Sequence, residues 1–329
     1  MLGKQLAVTG KHMRKAGRSK GNTTALPGYD FSKGVRATET IYVRAPLIGF
    51  HWVGLERQIA QDTWIRQKST YRDCEEFPEF KYALSEEERD RCREAEQWLS
   101  FTHTQRDELS ARAKINSFLL ALWIVRPTQT HVPFRFETAE SGFRLVARVL
   151  DRFQWVEEQA ADEIRDRDLD EVTQVLAPLR AVYVARRRLK NALALTFRGC
   201  VSSEWQSAFV CFSAAAEAIL TYSPRPGVTD RLAKSYAKLV STSRSGAESA
   251  GRQFKRLYSV RSNIVHGRAY NGSHPSRNLS DLAEFSDILR RLWRVVLESE
   301  ENRVALEGDD KQRRSFFLKH LSPASRRSG

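Results

Sequence analysis

Apolar residues recur every three to four positions through most of the C-terminal half, between Asp168 and Leu297. This spacing puts them on one side of a helix, so each segment has one face to bury against its neighbours. Proline, glycine and serine residues separate the segments and keep the links short. The alternation of strands and helices that a doubly wound sheet needs is absent from this half. We therefore expect a mainly α fold, with an antiparallel bundle of four or five helices over residues 170–300.

Local signals place the helices of this bundle. Pro178 suits the first turn of its first long helix, and Gly199 is expected to end that helix. Residues 241–251 are polar and rich in glycine and serine, which predicts a link. The expected helices cover residues 179–197, 204–222, 231–240, 254–266 and 279–297.

The region from residue 38 to residue 165 is expected to be mixed and mostly helical, and its role is unknown. Ser85 and Glu88, three residues apart, form a capping box that predicts the start of a helix. Trp98 and Leu99 would form the apolar end of that helix.

Other segments of this region give weaker signals. Residues 109–125 are strongly apolar and predict a core helix, and residues 51–68 carry aromatic and aliphatic side chains at near-helical spacing. Residues 40–50 favour a strand, and residues 132–136 are compatible with one. Residues 143–156 fit a strand and a helix equally well.

The chain is strongly basic, with a formal net charge of +14 and a pI of about 9.8. Such a charge favours a polyanionic partner. Much of the excess lies near the ends, where we predict a basic disordered tail over residues 1–37 and a basic C-terminal tail over residues 301–329. A second reading is therefore that the charge belongs to weakly selective tails.

The four cysteines have no CxxC spacing and no nearby histidine in a zinc pattern, so free thiols in a reducing cytoplasm are expected. No stretch approaches the roughly 18 apolar residues that a membrane span needs, and the N-terminus lacks the apolar core of a secretory signal. We expect a cytoplasmic protein with no metal, no cofactor and no membrane partner.

One polar cluster near residue 260 has the composition of a phosphate-handling site. Arg261 supplies a permanent fork-shaped charge that matches a phosphate, and His266 can exchange a proton near neutral pH. Gly267 is a candidate helix C-cap, which would place His266 at the negative end of the helix dipole. Ser262 and Asn263 could orient a phosphate or the histidine. On a helical wheel Arg261 and His266 are not stacked, so they border a surface that another element or a second copy could complete.

A structural reading of the same residues stays open. Arg261 could pair with Glu217, or cap a neighbouring helix, without any catalytic role. His266 could be a solvated residue at a helix end.

The segment RSNIVHG, which follows FKRLYSV, resembles the Arg-X4-His signature of HEPN domains, in particular the Apea-like group. Two upstream segments extend the resemblance: CFSAAAEAIL at residues 211–220 and RLAKSYAKLV at residues 231–240. The three elements occur in the order of the family, and the resemblance covers roughly residues 176–300. It does not include the first 150 residues.

The resemblance carries over to individual residues. Arg261 and His266 match the two fixed positions of the motif, and Glu217 matches the acidic residue of the family's second helix. Asn263 matches no fixed position. Ser262 stands where many active members have asparagine, aspartate or histidine, which puts the activity of this chain in question.

Proteins of this family are typically metal-independent endoribonucleases that act as homodimers in anti-phage defence or as toxins. The resemblance therefore implies RNA cleavage in which the 2′-hydroxyl attacks the adjacent phosphate, His266 transfers a proton, and Arg261 stabilises the developing charge. The expected products carry a 2′,3′-cyclic phosphate and a 5′-hydroxyl.

Two other functions remain open. Many HEPN bundles are non-catalytic and only dimerise or bind a nucleotide, a nucleic acid or a protein. In addition, residues 38–165 could sense a trigger, such as a phage product, and hold the bundle inactive.

Overall fold

Six antiparallel strands form a sheet in the N-terminal half of the chain. The structure, a computed structural model, describes residues 37–67, 83–142, 144–149, 152–154, 163–222, 227–267 and 275–319. The strands are β1 (Ile41–Leu47), β2 (Glu56–Ala60), β3 (Thr63–Gln67), β4 (Gln97–His103), β5 (Phe134–Ala139) and β6 (Arg144–Arg148). Their order across the sheet is β2-β3-β4-β1-β5-β6. Strand β1 is therefore central, with Val43 opposite Phe101 of β4 and Glu137 of β5.

Helices cover both faces of this sheet. Helix α1 (Glu86–Glu94) begins at the predicted capping box, in which Ser85 and Glu88 exchange hydrogen bonds. It packs on one face, against Trp98 and Phe136 among others. Helix α2 (Ala111–Val125), which confirms the predicted core helix, packs on the other face.

The expectation of a mostly helical N-terminal region is wrong. Trp98 and Leu99 belong to β4, and α1 ends at Glu94. Side chains of β4 are buried on both faces of the sheet, so the strand lacks the polar alternation that distinguishes a strand from a helix. Residues 51–68 contain the hairpin of β2 and β3 and not a helix. Ile59 and Ile65 face the core, and the residues next to them along each strand point to the other face of the sheet.

The remaining signals in this region have clear outcomes. Strands β1 and β5 confirm the strand signals of residues 40–50 and 132–136. Within the ambiguous segment 143–156, residues 144–148 form β6, and several other positions of that segment lie outside the described residues.

Eight helices of the described chain follow the sheet, so the mainly α architecture is confirmed. They are α3 (Asp166–Ala185), α4 (Arg187–Val201), α5 (Trp205–Leu220), α6 (Val228–Val240), α7 (Arg244–Val265), α8 (Pro275–Glu298), α9 (Glu300–Glu307) and α10 (Asp310–Lys319). Within the described ranges, none of the helices combines the length and apolar character needed to cross a bilayer.

Helix α8 is the element that the other helices share. It packs against α2, α3, α5, α6, α7 and α9. The ring of Phe285 lies 5.0 Å from that of Phe209 on α5 and 5.9 Å from that of Phe254 on α7, centroid to centroid. The Trp293 indole N–H donates to Thr196 Oγ1 of α4 over 2.9 Å. The predicted apolar stripe of this helix is confirmed, since its residues are buried.

Two predicted helix boundaries in the bundle are wrong. Pro178 lies inside α3, and the helix continues through it because Leu176 and Leu179 are fully buried on either side. Gly199 lies inside α4, where a Cβ atom would come within 2.5 Å of the Phe212 ring. This glycine permits close packing of α4 on α5. The chain breaks instead at Arg186, whose backbone is extended between α3 and α4.

The predicted link and tails also need correction. Helix α7 begins at Arg244, capped by the Ser243 hydroxyl, so most of residues 241–251 is helical. Helices α9 and α10 occupy much of the predicted C-terminal tail. The predicted N-terminal tail, except for residue 37, lies outside the described residues.

Arg313 of α10 is fully buried and closes the C-terminal end of α5. Its Nη2 donates to the carbonyl oxygens of Ala218, at 3.1 Å, and Ile219, at 2.6 Å, and its Nη1 donates to the carbonyl of Leu306. Burial lowers the pKa of Arg313 to about 10, so the side chain stays charged at neutral pH.

An ion cluster around the buried Lys114 joins the sheet to the helices. The Lys114 ammonium of α2 donates to Asp62 at 2.6 Å, to Asp107 at 3.0 Å and to the Thr102 carbonyl at 2.8 Å. Arg180 of α3 binds the other oxygen of Asp62 at 3.1 Å. The β2–β3 turn, α2 and α3 are thus fixed by one carboxylate. Burial raises the pKa of Asp62, but hydrogen bonds and charges from its partners together outweigh it, and the pKa lies below its usual range.

We predict that Arg313→Met lowers the free energy of unfolding by about 3 kcal/mol, because carbonyls at the end of α5 lose a charged donor. The exposed neighbour Arg314 is the control, and Arg314→Met should change stability by less than about 0.5 kcal/mol. Urea unfolding measures both, and equal effects of the two changes would contradict the assigned role.

A second prediction concerns pH. Lys114→Met should lower the free energy of unfolding by about 2 kcal/mol at pH 7, because Asp62 and Asp107, whose side chains are 30% and 33% exposed, lose the buried ammonium that they share. The pKa values of Asp62 and Asp107 are depressed in the folded state. Their contribution is therefore complete above the unfolded pKa of about 3.9 and is lost as the pH falls through the folded values.

The difference between wild type and Lys114→Met should consequently shrink below about pH 4 in urea unfolding series. A difference that stays constant from neutral to acid pH would show that the ion pairs do not cause it.

Candidate functional site

The C-terminal end of α7 carries four of the predicted site residues. Arg261, Ser262 and Asn263 are half-buried on the last turns of the helix, and His266 is exposed where the helix ends. The His266 N–H still donates to the Ser262 carbonyl at 3.1 Å. Gly267 follows with a φ of 61°, a left-handed conformation that suits glycine and terminates the helix as the sequence predicts.

Arg261 is fixed from two sides. Its Nη2 lies 3.3 Å from Glu217 Oε1 of α5, and its guanidinium lies over the Tyr258 ring, 5.7 Å from the centroid. The Tyr258 hydroxyl donates to the same Glu217 oxygen over 2.6 Å. One carboxylate oxygen therefore holds both the arginine and the tyrosine.

The surroundings of Tyr258 favour its protonated hydroxyl. Burial is the largest influence on this group, and the bond to Glu217 and its negative charge act in the same direction, so the pKa of Tyr258 lies well above its usual range. Tyr258 therefore remains a hydrogen-bond donor at any physiological pH.

The guanidinium retains capacity for a ligand. Only 29% of the Arg261 side chain is exposed, and its Nε has no hydrogen-bond partner within the described part of the protein. Buried donors without a partner are uncommon in folded proteins. Because this Nε is buried, a phosphate oxygen would contact the guanidinium from its exposed side, while Glu217 keeps hold of Nη2.

His266 is not part of the trio of Arg261, Tyr258 and Glu217. It lies five positions after Arg261, which corresponds to a turn of about 140° and a rise of about 7.5 Å. The structure therefore brings Arg261 together with Glu217 and leaves His266 on a different side of the helix end. A ligand that touches both must extend around the end of α7, or a second molecule must complete the surface.

Sequence reasoning missed Tyr258. It lies three residues before Arg261, which is the spacing that puts two side chains side by side on one helix face. The available signal was this spacing, which places the tyrosine beside an arginine that is expected to pair with an acidic residue.

Comparisons with other proteins add no assignment. No protein-family model matches this chain, and no curated protein or solved structure matches it significantly.

We predict that Glu217→Ala lowers the free energy of unfolding by about 2 kcal/mol, because a half-buried guanidinium and a hydroxyl lose their shared acceptor. Tyr258→Phe should cost about 1 kcal/mol, and a double-mutant cycle should show coupling between the two positions. Urea unfolding provides the values.

The control is Glu248→Ala, which removes an exposed ion pair with Arg244 on the same helix as Arg261. It should cost less than about 0.5 kcal/mol. If Glu217→Ala were no more costly than this control, the trio would not hold Arg261.

Proposed function

We propose that this chain is a metal-independent endoribonuclease of the HEPN type, in which Arg261 stabilises the reacting phosphate and His266 transfers a proton. The observation that carries the proposal is the state of Arg261: Glu217 anchors its Nη2, and 29% of its side chain remains exposed. The exposed His266 at the end of the same helix supports it.

The proposed reaction is a transesterification followed by release of the downstream strand. The ribose 2′-oxygen forms a bond to the adjacent phosphorus, and the bond from phosphorus to the 5′-oxygen breaks. The proton of the 2′-hydroxyl leaves and a proton reaches the departing 5′-oxygen, and His266 mediates one of these transfers. Arg261 stabilises the charge that accumulates on the phosphate oxygens.

A homodimer is part of the proposal. Val265, directly before His266, exposes 49% of its surface, and the neighbouring Ile264 is only partly buried. An apolar surface next to the proposed catalytic residues suits contact with a second copy. Such a contact would allow residues of two chains to meet around one RNA strand.

The second candidate is a non-catalytic module that binds RNA or another nucleotide. The ion pair of Arg261 with Glu217 favours it, because a paired guanidinium has part of its charge neutralised. Ser262, where active relatives of the motif carry other polar residues, favours it as well. A role in anti-phage defence or as a toxin belongs to the first candidate.

We predict that wild-type protein cuts a mixed RNA pool in the presence of EDTA and leaves 2′,3′-cyclic phosphate ends. Arg261→Ala and His266→Ala should each reduce the rate about 100-fold or more, because one removes charge stabilisation and the other a proton-transfer group. Gel analysis with end-group mapping measures rate and chemistry together.

Matched controls exist in the chain. Arg252 is exposed on the same helix, and His51 is exposed on the sheet half; their alanine variants should retain full cleavage. Equal cutting of DNA, or a requirement for a divalent ion, would refute the mechanism. If folded wild type cuts nothing and its expression causes no His266-dependent growth arrest, the binding module is the correct function.

A further inference from the structure

Helix α4 lies in a stretch of the chain that has no acidic residue. Between Glu171 and Glu204 there are five arginines and one lysine, and neither aspartate nor glutamate. Three of these cations are exposed on α4: Arg187, Lys190 and Arg198. Arg187 and Arg198 are eleven positions apart, which puts them on the same side of the helix and about 16 Å apart along its axis. Lys190 lies about 60° away around the helix, so the three form one surface, the α4 basic face.

The charges of the α4 basic face are not neutralised by a neighbour. Within the described ranges, none of its three side chains forms an ion pair or a hydrogen bond. The adjacent Arg186, by contrast, binds Glu300. Glu307 accepts the backbone N–H groups of Arg188 and Leu189, so this carboxylate caps the start of α4. The exposed cations of α4 therefore present their full charge to solvent.

Helix α5 lies between α4 and the helix that carries Arg261. On one side Gly199 of α4 packs against the Phe212 ring of α5, and on the other side Glu217 of α5 pairs with Arg261 of α7. A link of three residues, 202–204, joins α4 to α5, so the start of α4 lies beside the end of α5. Packed helix axes are about 8–10 Å apart, which places the axes of α4 and α7 within about 20 Å of each other.

The outward side of α5 carries small side chains. On a helical wheel Cys211 and Glu217 are about 120° apart, and Val210, Ala214 and Ala218 fall between them. All five residues are half-buried, so this side of α5 reaches the surface. No bulky side chain of α5 stands on this strip, and an extended ligand could cross it close to the helix.

Arg198 and Arg261 stand on opposite flanks of this strip. Burial raises the pKa of the Cys211 thiol, and the positive charge of Arg198 opposes that rise, so Arg198 lies near the Cys211 flank. Arg261 lies on the Glu217 flank, 3.3 Å from its carboxylate. A polyanion that crosses α5 can therefore contact the α4 basic face and Arg261 together.

The composition of the α4 basic face favours a nucleic-acid backbone over a membrane. Asn191 and Ala194 are the other exposed side chains among its cations, whereas Leu195 and Phe197 are half-buried against the core. Helices that bind a bilayer surface insert large apolar side chains, and this face offers none. Arginine and lysine without such anchors suit phosphates, which they bind irrespective of sequence.

We propose that Arg187, Lys190 and Arg198 bind backbone phosphates of the RNA strand whose reacting phosphate contacts Arg261. That the strand is RNA rests on the proposed function. The contacts supply affinity and no chemistry, because the α4 basic face lies a helix away from Arg261. Loss of these charges should therefore raise KM and leave kcat unchanged.

Binding is tested by fluorescence anisotropy with a labelled RNA of about 12 nucleotides, in EDTA, on the full chain carrying His266→Ala. Arg187→Gln and Arg198→Gln should each weaken binding about 5-fold or more, and each should reduce the slope of log affinity against log salt by about 0.7. Arg198→Lys keeps the charge and should retain most of the affinity. Arg106→Gln, at an exposed position on the sheet half, is the control and should stay within about twofold.

Cleavage is measured separately, with His266 intact. The triple variant Arg187→Gln, Lys190→Gln and Arg198→Gln should raise KM about 10-fold or more and keep kcat within about twofold. Its urea unfolding curve should match that of wild type, because all three side chains are exposed and unpaired. If wild type binds RNA through these residues but cuts nothing, the ribonuclease proposal fails and the α4 contact stands.

Three results would overturn the inference. The first is the absence of RNA binding by folded protein. The second is unchanged affinity in the triple variant, which would place the strand elsewhere. The third is binding to vesicles of phosphatidylserine and phosphatidylcholine that the triple variant loses while its RNA affinity is unchanged, which would make the α4 basic face a membrane contact.

Discussion

Helix α8 has to be buried along one entire side, and this requirement determines how the two halves of the protein meet. Its aromatic residues fill the space between α4, α5 and α7. From the same helix, Arg290 and Arg294 donate to the carbonyl of Val125, and Arg294 also to that of Ile124, at the end of α2. A helix C-terminus leaves such carbonyls without partners, so cations are favourable there. The sheet half and the helical half consequently share one apolar core.

The sequence could predict the parts of the fold in which local pattern and tertiary burial agree. Helices α8 and α2 each show a clear pattern of apolar residues, and the capping box at Ser85 marks the start of α1. The predictions at Gly199 and Pro178 were wrong because each residue tends to break a helix when considered alone. In the protein, Gly199 lies in a helix that packs closely against Phe212. Pro178 lies in a helix that is held by the burial of Leu176 and Leu179. Strand β4 was predicted wrongly for a different reason. A strand that is buried on both faces lacks the alternation of polar and apolar residues by which a strand is recognised.

The candidate site shows a similar division. The family resemblance selects Arg261, His266 and Glu217 as candidates, and the structure places Arg261 and Glu217 together. No pattern within one helix could show that a single oxygen of Glu217 also accepts the Tyr258 hydroxyl, because that contact depends on how α5 packs against α7. The position of His266 depends on where α7 ends, and Gly267 fixes that end through a backbone conformation that other residues rarely adopt.

Because Arg313 is buried against the end of α5, it affects the order in which contacts form during synthesis. Two of its acceptors, Ala218 and Ile219, directly follow Glu217, the residue that holds Arg261. During synthesis the chain emerges from its N-terminus, and the donor that satisfies these carbonyls is nearly a hundred residues behind them. The end of α5 is therefore finished only after Arg313 has left the ribosome. The surroundings of Arg261 reach their final form at that stage and not before.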